Sequence, residues 1–290
     1  MKRFLQAALR RVGYRLMRIP GDSAIPSSAT GQDVEQLYFQ TLEQFRMSEA
    51  MRDIHRRDAV EIEELYRHFL FPDLPKREGR ARDLSDLIGT TVSEAIYVIK
   101  NLHDGLKVAG DICEFGVAQG ATSRLLASEI MPLAERKFWL FDSFEGLPAP
   151  SKEDRLIHDI FKLGTMEKYK GTMASPETEV LSKLASIKFP RERIVVKKGW
   201  VKDTIKGGDL PEKVAFAYVD FDFYDPIKDA LEFLDTRMPA GGRIVVDDYG
   251  FFSEGAQLAV DQFVAAAGDR YKFEMPLPFA GHFCVLSKVA

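Results

Sequence analysis

The chain has 290 residues, 46% of them hydrophobic, and a formal net charge of −4. Such a length holds one large domain with additions or two modest ones, and the apolar content excludes a disordered chain. The acidic balance argues against general nucleic-acid binding, which shows a basic excess across the domain. Two cysteines, Cys113 and Cys284, lie inside strand-like apolar runs, where a buried thiol is the common state; a reducing, cytoplasmic compartment is expected. No apolar run approaches the roughly 18 residues of a spanning helix, and the N-terminus lacks a signal-peptide core and cleavage site.

Residues 1–20 carry Lys2, Arg3, Arg10, Arg11, Arg15 and Arg18 without an acid, while Phe4, Leu5, Leu9, Val12, Leu16 and Ile19 recur at helical spacing. This reads as a basic amphipathic helix. It suits peripheral contact with an anionic membrane at its inner face, docking on a partner, or packing on its own domain with the arginines in water. Residues 21–32, GDSAIPSSATGQ, read as a linker. Residues 33–83 read as a helical extension, with one or two helices ended by FPDLP; they would cover a site or build a homo-oligomer.

A further helical stretch is expected from 84 to 106, and helices and strands then alternate. The expected strands are 111–117, 137–141, 193–198, 214–219 and 243–246; the helices are 122–131, 175–187, 226–235 and 254–267. That alternation means a parallel sheet. The final runs KFEMPLP and HFCVLSK have no helix between them and predict an antiparallel hairpin at the sheet edge. The fold expected is α/β and Rossmann-like, a mostly parallel seven-stranded sheet with a C-terminal antiparallel hairpin and N-terminal helices.

Two features carry chemistry. GDICEFGVAQGATS is a strand entering a glycine-bearing turn and then a helix, an arrangement that presents backbone amides to a cofactor. VAFAYVDFD and GGRIVVDD end in Asp220, Asp222, Asp247 and Asp248, and acids at neighbouring strand ends can converge on one cation. A structural reading explains Asp225, which precedes Pro226 as a helix start, better than it explains Asp247 and Asp248. Adjacent charges at a buried strand end repel unless a cation or donors compensate.

The runs GDICEFGVAQGAT, FDSFEGLP, KKGWVKDTI, YVDFDFYDPIKDALEFL, GGRIVVDDYGF and QLAVDQF resemble, in order and spacing, the macrocin O-methyltransferase family of bacterial sugar O-methyltransferases. The resemblance covers residues 90–263 and identifies residues 84–290 as a class I methyltransferase domain. It implies methyl transfer from S-adenosylmethionine to a sugar hydroxyl of a glycan, glycolipid or glycosylated natural product, with Mg²⁺ at the site. The chain departs from the usual family pattern at Ala118 to Ala121, at Phe221 between the two aspartates, at Pro226, and in residues 147–176. These departures leave the acceptor open.

On this resemblance Gly116 and Gly120 admit the methionine part of the cofactor, Glu114 positions its ammonium, and Thr122, Ser123 and Ser143 line the same turn. Asp142, after the second strand, would accept the ribose hydroxyls, as acids do in dinucleotide folds. Gly199 and Trp200 would border the adenine, and Asp220 touches both the cofactor and metal sites. Asp220, Asp247 and Asp248 are the expected Mg²⁺ ligands, since hard oxygens suit that ion. Asp220 or Asp222 would take the acceptor proton. His158, in the long insert after the second strand, is a second candidate base, although a lone loop histidine is more often solvated; His282 reads as structural. Two other functions fit parts of the pattern. A nicotinamide-dependent oxidoreductase would use the turn and Asp142 but not the aspartate pair. A non-catalytic scaffold would use the N-terminal helix.

Overall fold

The computed structural model of the chain describes residues 49–289. The basic segment 1–20, the linker 21–32 and residues 33–48 of the helical extension lie outside the described residues. The described part begins with α1 (Glu49–Phe69), α2 (Arg80–Ser85) and α3 (Val92–Gly105). There follow β1 (Asp111–Phe115), α4 (Ala121–Ile130), β2 (Phe138–Asp142), α5 (Glu177–Ser186), β3 (Ile194–Lys198), α6 (Val201–Thr204) and β4 (Val214–Val219). The chain closes with α7 (Tyr224–Asp235), β5 (Arg243–Val246), α8 (Glu254–Ala267), β6 (Tyr271–Glu274) and β7 (Cys284–Lys288).

The strands form one sheet in the order β3-β2-β1-β4-β5-β7-β6. The first five are parallel, and β7 pairs antiparallel with both β5 and β6. The order reverses between β1 and β4, so a crevice opens at the carboxyl ends of those two strands. The terminal pair is antiparallel, as expected, but β7 lies inside the sheet and β6 takes the edge.

Side chains alternate across the strands and fill two cores. Cys113, Phe115, Trp139, Phe141 and Val219 pack under α7 and α8, with the Phe115 and Phe141 rings stacked at 4.5 Å. Ile112, Phe138, Leu140, Phe216 and Tyr218 pack under α3, α4 and α5. Cys113 and Cys284 are buried free thiols. Among the described residues no helix is long and apolar enough to cross a membrane.

The helical stretch expected over 84–106 is interrupted, with α2 ending at Ser85 and α3 starting only at Val92. Gly89 has φ +87, and Thr91 turns extended and caps α3, its Oγ1 accepting from the Glu94 amide at 3.1 Å. T-V-S-E at 91–94 is therefore a capping-box sequence inside what reads as one periodic stretch.

Helices α1 and α2 are tied to the rest of the fold by charge as well as by the apolar cluster of Tyr66, Leu74, Leu84, Ile96 and Leu125. Arg80, almost wholly buried, holds Glu129 of α4 by two bonds of 2.7 Å and donates to Glu63 of α1 at 2.7 Å. Arg77 donates to the same Glu129 at 2.6 Å, and His103 lies 2.9 Å from it. Burial pushes the Glu129 carboxyl up, but Arg80, His103 and Arg77 outweigh it and bring the pKa down to about 2. A carboxyl depressed in the folded state adds stability that is present above the unfolded value, about 4.3, and lost as pH falls toward the folded one. Glu129→Ala strands Arg80 without its main partner, and urea denaturation at pH 7 is expected to show a loss of about 3–5 kcal/mol. The gap between wild type and variant should narrow as the pH is taken below about 4.

Candidate functional site

The crevice begins where β1 runs into its turn. The Gly116 amide donates to the Phe141 carbonyl at 2.9 Å, and the Asp220 amide donates to Phe115 at 2.7 Å, so the turn sits against the end of β4. Gly116 has φ +83, and a Cβ there would lie 1.7 Å from the Asp220 carbonyl oxygen. Only glycine allows that approach. Gly120, φ +76, precedes α4, whose first turn has no side-chain cap.

Asp142 closes the turn from β2. Its Oδ2 accepts from the Val117 amide at 2.6 Å and the Ala118 amide at 3.1 Å, and its Oδ1 accepts from Phe144 at 2.6 Å. The Gly199 amide, with φ +134 at the end of β3, donates to the Asp142 carbonyl at 2.9 Å. Trp200 follows at the N-cap of α6 and is half-buried. Ser143 Oγ accepts from the Glu145 amide at 3.0 Å and so shapes the start of the insert. Thr122, on the first turn of α4, is half-buried. The structure thus brings Gly116, Gly120, Asp142, Ser143, Gly199 and Trp200 to the carboxyl ends of three adjacent strands.

Glu114 points from β1 onto the face covered by α3 and α4, and is fully buried. Neither of its carboxyl oxygens has a hydrogen-bond partner, and the same is true of the Ser123 hydroxyl. Burial raises the Glu114 pKa to about 8, and the charge of Asp142 adds to it. Buried polar atoms without partners are costly and rare, so this end of β1 lacks a donor.

The acids stand across the switch point. Oxygens of Asp220, Asp222 and Asp248 lie within 4.8 Å of one another. Asp247, expected in that group, stands outside it, and Asp222 takes the third place. Asp247 accepts from Tyr218 Oη at 2.5 Å and from the Asp248 amide at 2.8 Å, which hold its carboxylate toward β4. Asp222 and Asp248 have φ +61 and +57. Aspartate tolerates this conformation better than most residues, but at a cost of order 1 kcal/mol each. The strain aims both carboxylates into one space.

Like charge dominates that space. Burial, then the charges of Asp247 and Asp248, raise Asp220 well above the carboxylate range; burial, then Asp222 and Asp247, do the same for Asp248. Asp222 is raised to about 7 by burial and by Asp220, with a bond to Asp248 pulling the other way. Among the described residues none of these acids forms an ion pair with a basic side chain.

A further buried carboxylate that sequence reasoning missed feels the charge of these acids. Glu94 of α3 is only 4% exposed, and its Oε1 has no partner. Burial, then the charge of Asp247, followed by those of Asp220 and Asp248, holds it well above its ordinary pKa. Its only signal in sequence is the capping-box spacing, which points to a structural role.

The insert between β2 and α5 lies over this end of the sheet with its own small core of Leu147, Phe161, Leu163, Met166 and Tyr169 against Phe223 and Phe252. Asp154 fastens it. Buried, it accepts from the Tyr224 amide at 2.8 Å and Ser253 Oγ at 3.0 Å by one oxygen, and from Ser151 by the other. It therefore links the insert to the starts of α7 and α8, a long-range role with no local sequence signal. His158 is exposed, and its ring lies 4.9 Å from that of Phe251, which stacks at 4.4 Å on His282. It stands outside the carboxylate group.

The sequence profile of the macrocin-O-methyltransferase (TylF) family matches residues 91–275. Over 150 residues the chain is 30% identical to the 8-demethyl-8-(2,3-dimethoxy-alpha-L-rhamnosyl)-tetracenomycin-C 4′-O-methyltransferase of Streptomyces olivaceus, covering 51% of this chain and 55% of that protein. It is 28% identical over 158 residues to the mycinamicin III 3″-O-methyltransferase of Micromonospora griseorubida, covering 51% and 58%. The match thus spans little more than half the length of these curated relatives. Among solved structures, the O-methyltransferase NovP superposes with a TM-score of 0.60 at 20% identity, over 80% of this chain and 98% of that one. The calicheamicin methyltransferase CalS11 superposes at 0.54 and 20% identity, over 79% and 91%. These two likenesses establish the fold as that of class I methyltransferases. With the family profile matched across the glycine turn, the insert and both aspartate strands, the chain belongs to the macrocin O-methyltransferase family.

Proposed function

We propose that this chain is an S-adenosylmethionine-dependent and Mg²⁺-dependent O-methyltransferase whose acceptor is a sugar hydroxyl of a glycosylated natural product. The observation that carries the reading is the group of Asp220, Asp222 and Asp248, gathered without a basic partner at the switch point beside the glycine turn. Relatives named for O-methyl transfer to a rhamnosyl tetracenomycin and to mycinamicin support the acceptor class. Family membership favours methyl transfer over a nicotinamide oxidoreductase or a scaffold.

The residues present fit both absent groups. Two buried, unpartnered oxygens on Glu114 suit an ammonium, which offers three donors, and the free amides at the start of α4 suit a carboxylate. Asp142, three of whose roughly four acceptor sites already fix the turn, keeps one on Oδ1 for a ribose hydroxyl; Gly199 and Trp200 border the base. S-adenosylmethionine supplies a methyl group on a sulfonium, ready for displacement. Asp220 and Asp248 would hold Mg²⁺, with Asp247 beside them, and hard oxygen ligands with room for water and substrate suit that ion. A divalent cation acidifies a coordinated hydroxyl and fixes it in place. Asp222 shares the carboxylate group and has a pKa of about 7, so it is poised to take the acceptor proton near neutral pH. The insert fastened by Asp154 packs against Phe223 and Phe252, just beyond the ends of β4 and β5.

Labelled methyl transfer to a panel of rhamnosylated natural products tests the reaction; label in a sugar that disappears in Asp220→Ala is the expected result. Asp222→Asn should lower kcat by about 100-fold or more with little change in cofactor affinity. Asp142→Ala should instead weaken S-adenosylmethionine binding in calorimetry, because it frees the turn and removes the ribose contact.

Mg²⁺ binding should depend on pH in a definite direction. Asp222, raised to about 7 when folded, loses stability for the metal-free protein as pH rises from its unfolded value, about 3.9, through 7. A cation reverses that loss but must displace the proton below pH 7. The rise in melting temperature on adding Mg²⁺ should therefore be larger at pH 8 than at pH 6.

A further inference from the structure

We propose that Glu94 is a further residue of the cation site, a carboxylate that reaches the strand-end aspartates from α3 and faces the bound divalent ion on the Asp247 side. The assignment rests on the cation reading above and adds to it a residue from outside the sheet.

The placement of Glu94 is built rather than incidental. Thr91 Oγ1 accepts from the Glu94 amide at 3.1 Å and donates to the Ala280 carbonyl at 2.9 Å, pinning the first turn of α3 to the loop before β7. At Gly281 in that loop a Cβ would lie 2.8 Å from Glu94 Oε2, so the missing side chain leaves room for the carboxylate. A glutamate at this capping-box position ordinarily turns back to the helix start. Here the residue is 4% exposed, with Oε1 lacking any partner.

Its surroundings are acidic. The groups whose charges act on Glu94 are Asp247, Asp220 and Asp248, and among the described residues no lysine, arginine or histidine pairs with it. A buried carboxylate among carboxylates is costly, and a free buried oxygen adds to that cost. A divalent cation held by Asp220 and Asp248 offsets both, and Oε1 is free for the ion or for one of its waters. Mg²⁺ sites commonly complete their shells in this way.

The test is Mn²⁺ binding by the full chain, followed by the resonance of free Mn²⁺ and independent of any acceptor. Glu94→Gln, which preserves shape, is expected to weaken binding by about tenfold or more. Glu94→Asp, which keeps the charge one methylene short, should fall between the two. Melting without metal separates a structural role: relief of repulsion leaves Glu94→Gln at least as stable as wild type, whereas a merely structural glutamate would give a less stable variant. Mn²⁺ affinity in Glu94→Gln within about twofold of wild type overturns the proposal. A wild-type chain that binds no Mn²⁺ overturns the underlying cation reading instead, and needs no variant to show it.

Discussion

Uncompensated negative charge at the carboxyl ends of β4 and β5 is the constraint on which the rest of the site depends. Asp220, Asp222 and Asp248 gather within 4.8 Å of one another, and burial together with the charge of neighbouring carboxylates raises the pKa values of these three and of Glu94. The parallel sheet makes the gathering unavoidable, because adjacent strands deliver their ends to the same edge. The chain adds to this rather than relieving it: Asp222 and Asp248 adopt strained backbone conformations that aim their carboxylates at each other's neighbourhood. Such a concentration of like charge is the observation that supports the proposed cation.

The cofactor side of the crevice is governed by close approach instead of charge. Gly116 lets the turn touch the end of β4, and Asp142 uses both its oxygens to hold the turn's amides. The turn is consequently preorganised, and the unpartnered oxygens of Glu114 mark where a donor belongs. The helices before the sheet contribute through the buried Arg80–Glu129 pair on α4. Helix α4 also begins at the turn, so the N-terminal helices brace the element that follows the glycine turn. Helices α1 and α2 precede the residues matched by the family profile, whereas the braced helix α4 lies within them.

Much of this was legible in the sequence where local pattern decides. Val214–Val219, Arg243–Val246 and Glu254–Ala267 fall at the expected positions because apolar runs are bracketed by charged or turn-forming residues. The break between α2 and α3 was not read, because periodicity carries across Gly89 and Thr91 and masks the cap. The acids at the two strand ends were visible, but their arrangement was not. That Asp222 joins Asp220 and Asp248 while Asp247 turns to Tyr218 depends on a left-handed backbone and a cross-strand hydroxyl. Glu94 and Asp154 act across 153 and 70 residues of chain, to Asp247 and Tyr224, and no local pattern reports contacts of that range.

The most direct test of the central claim is labelled methyl transfer from S-adenosylmethionine to a glycosylated acceptor, run in parallel with Mg²⁺ and with EDTA. The account predicts label in the sugar that is lost with EDTA and restored by excess Mg²⁺. Transfer of equal rate in the two reactions would contradict it, because the carboxylates at the ends of β4 and β5 would then have no cation to hold.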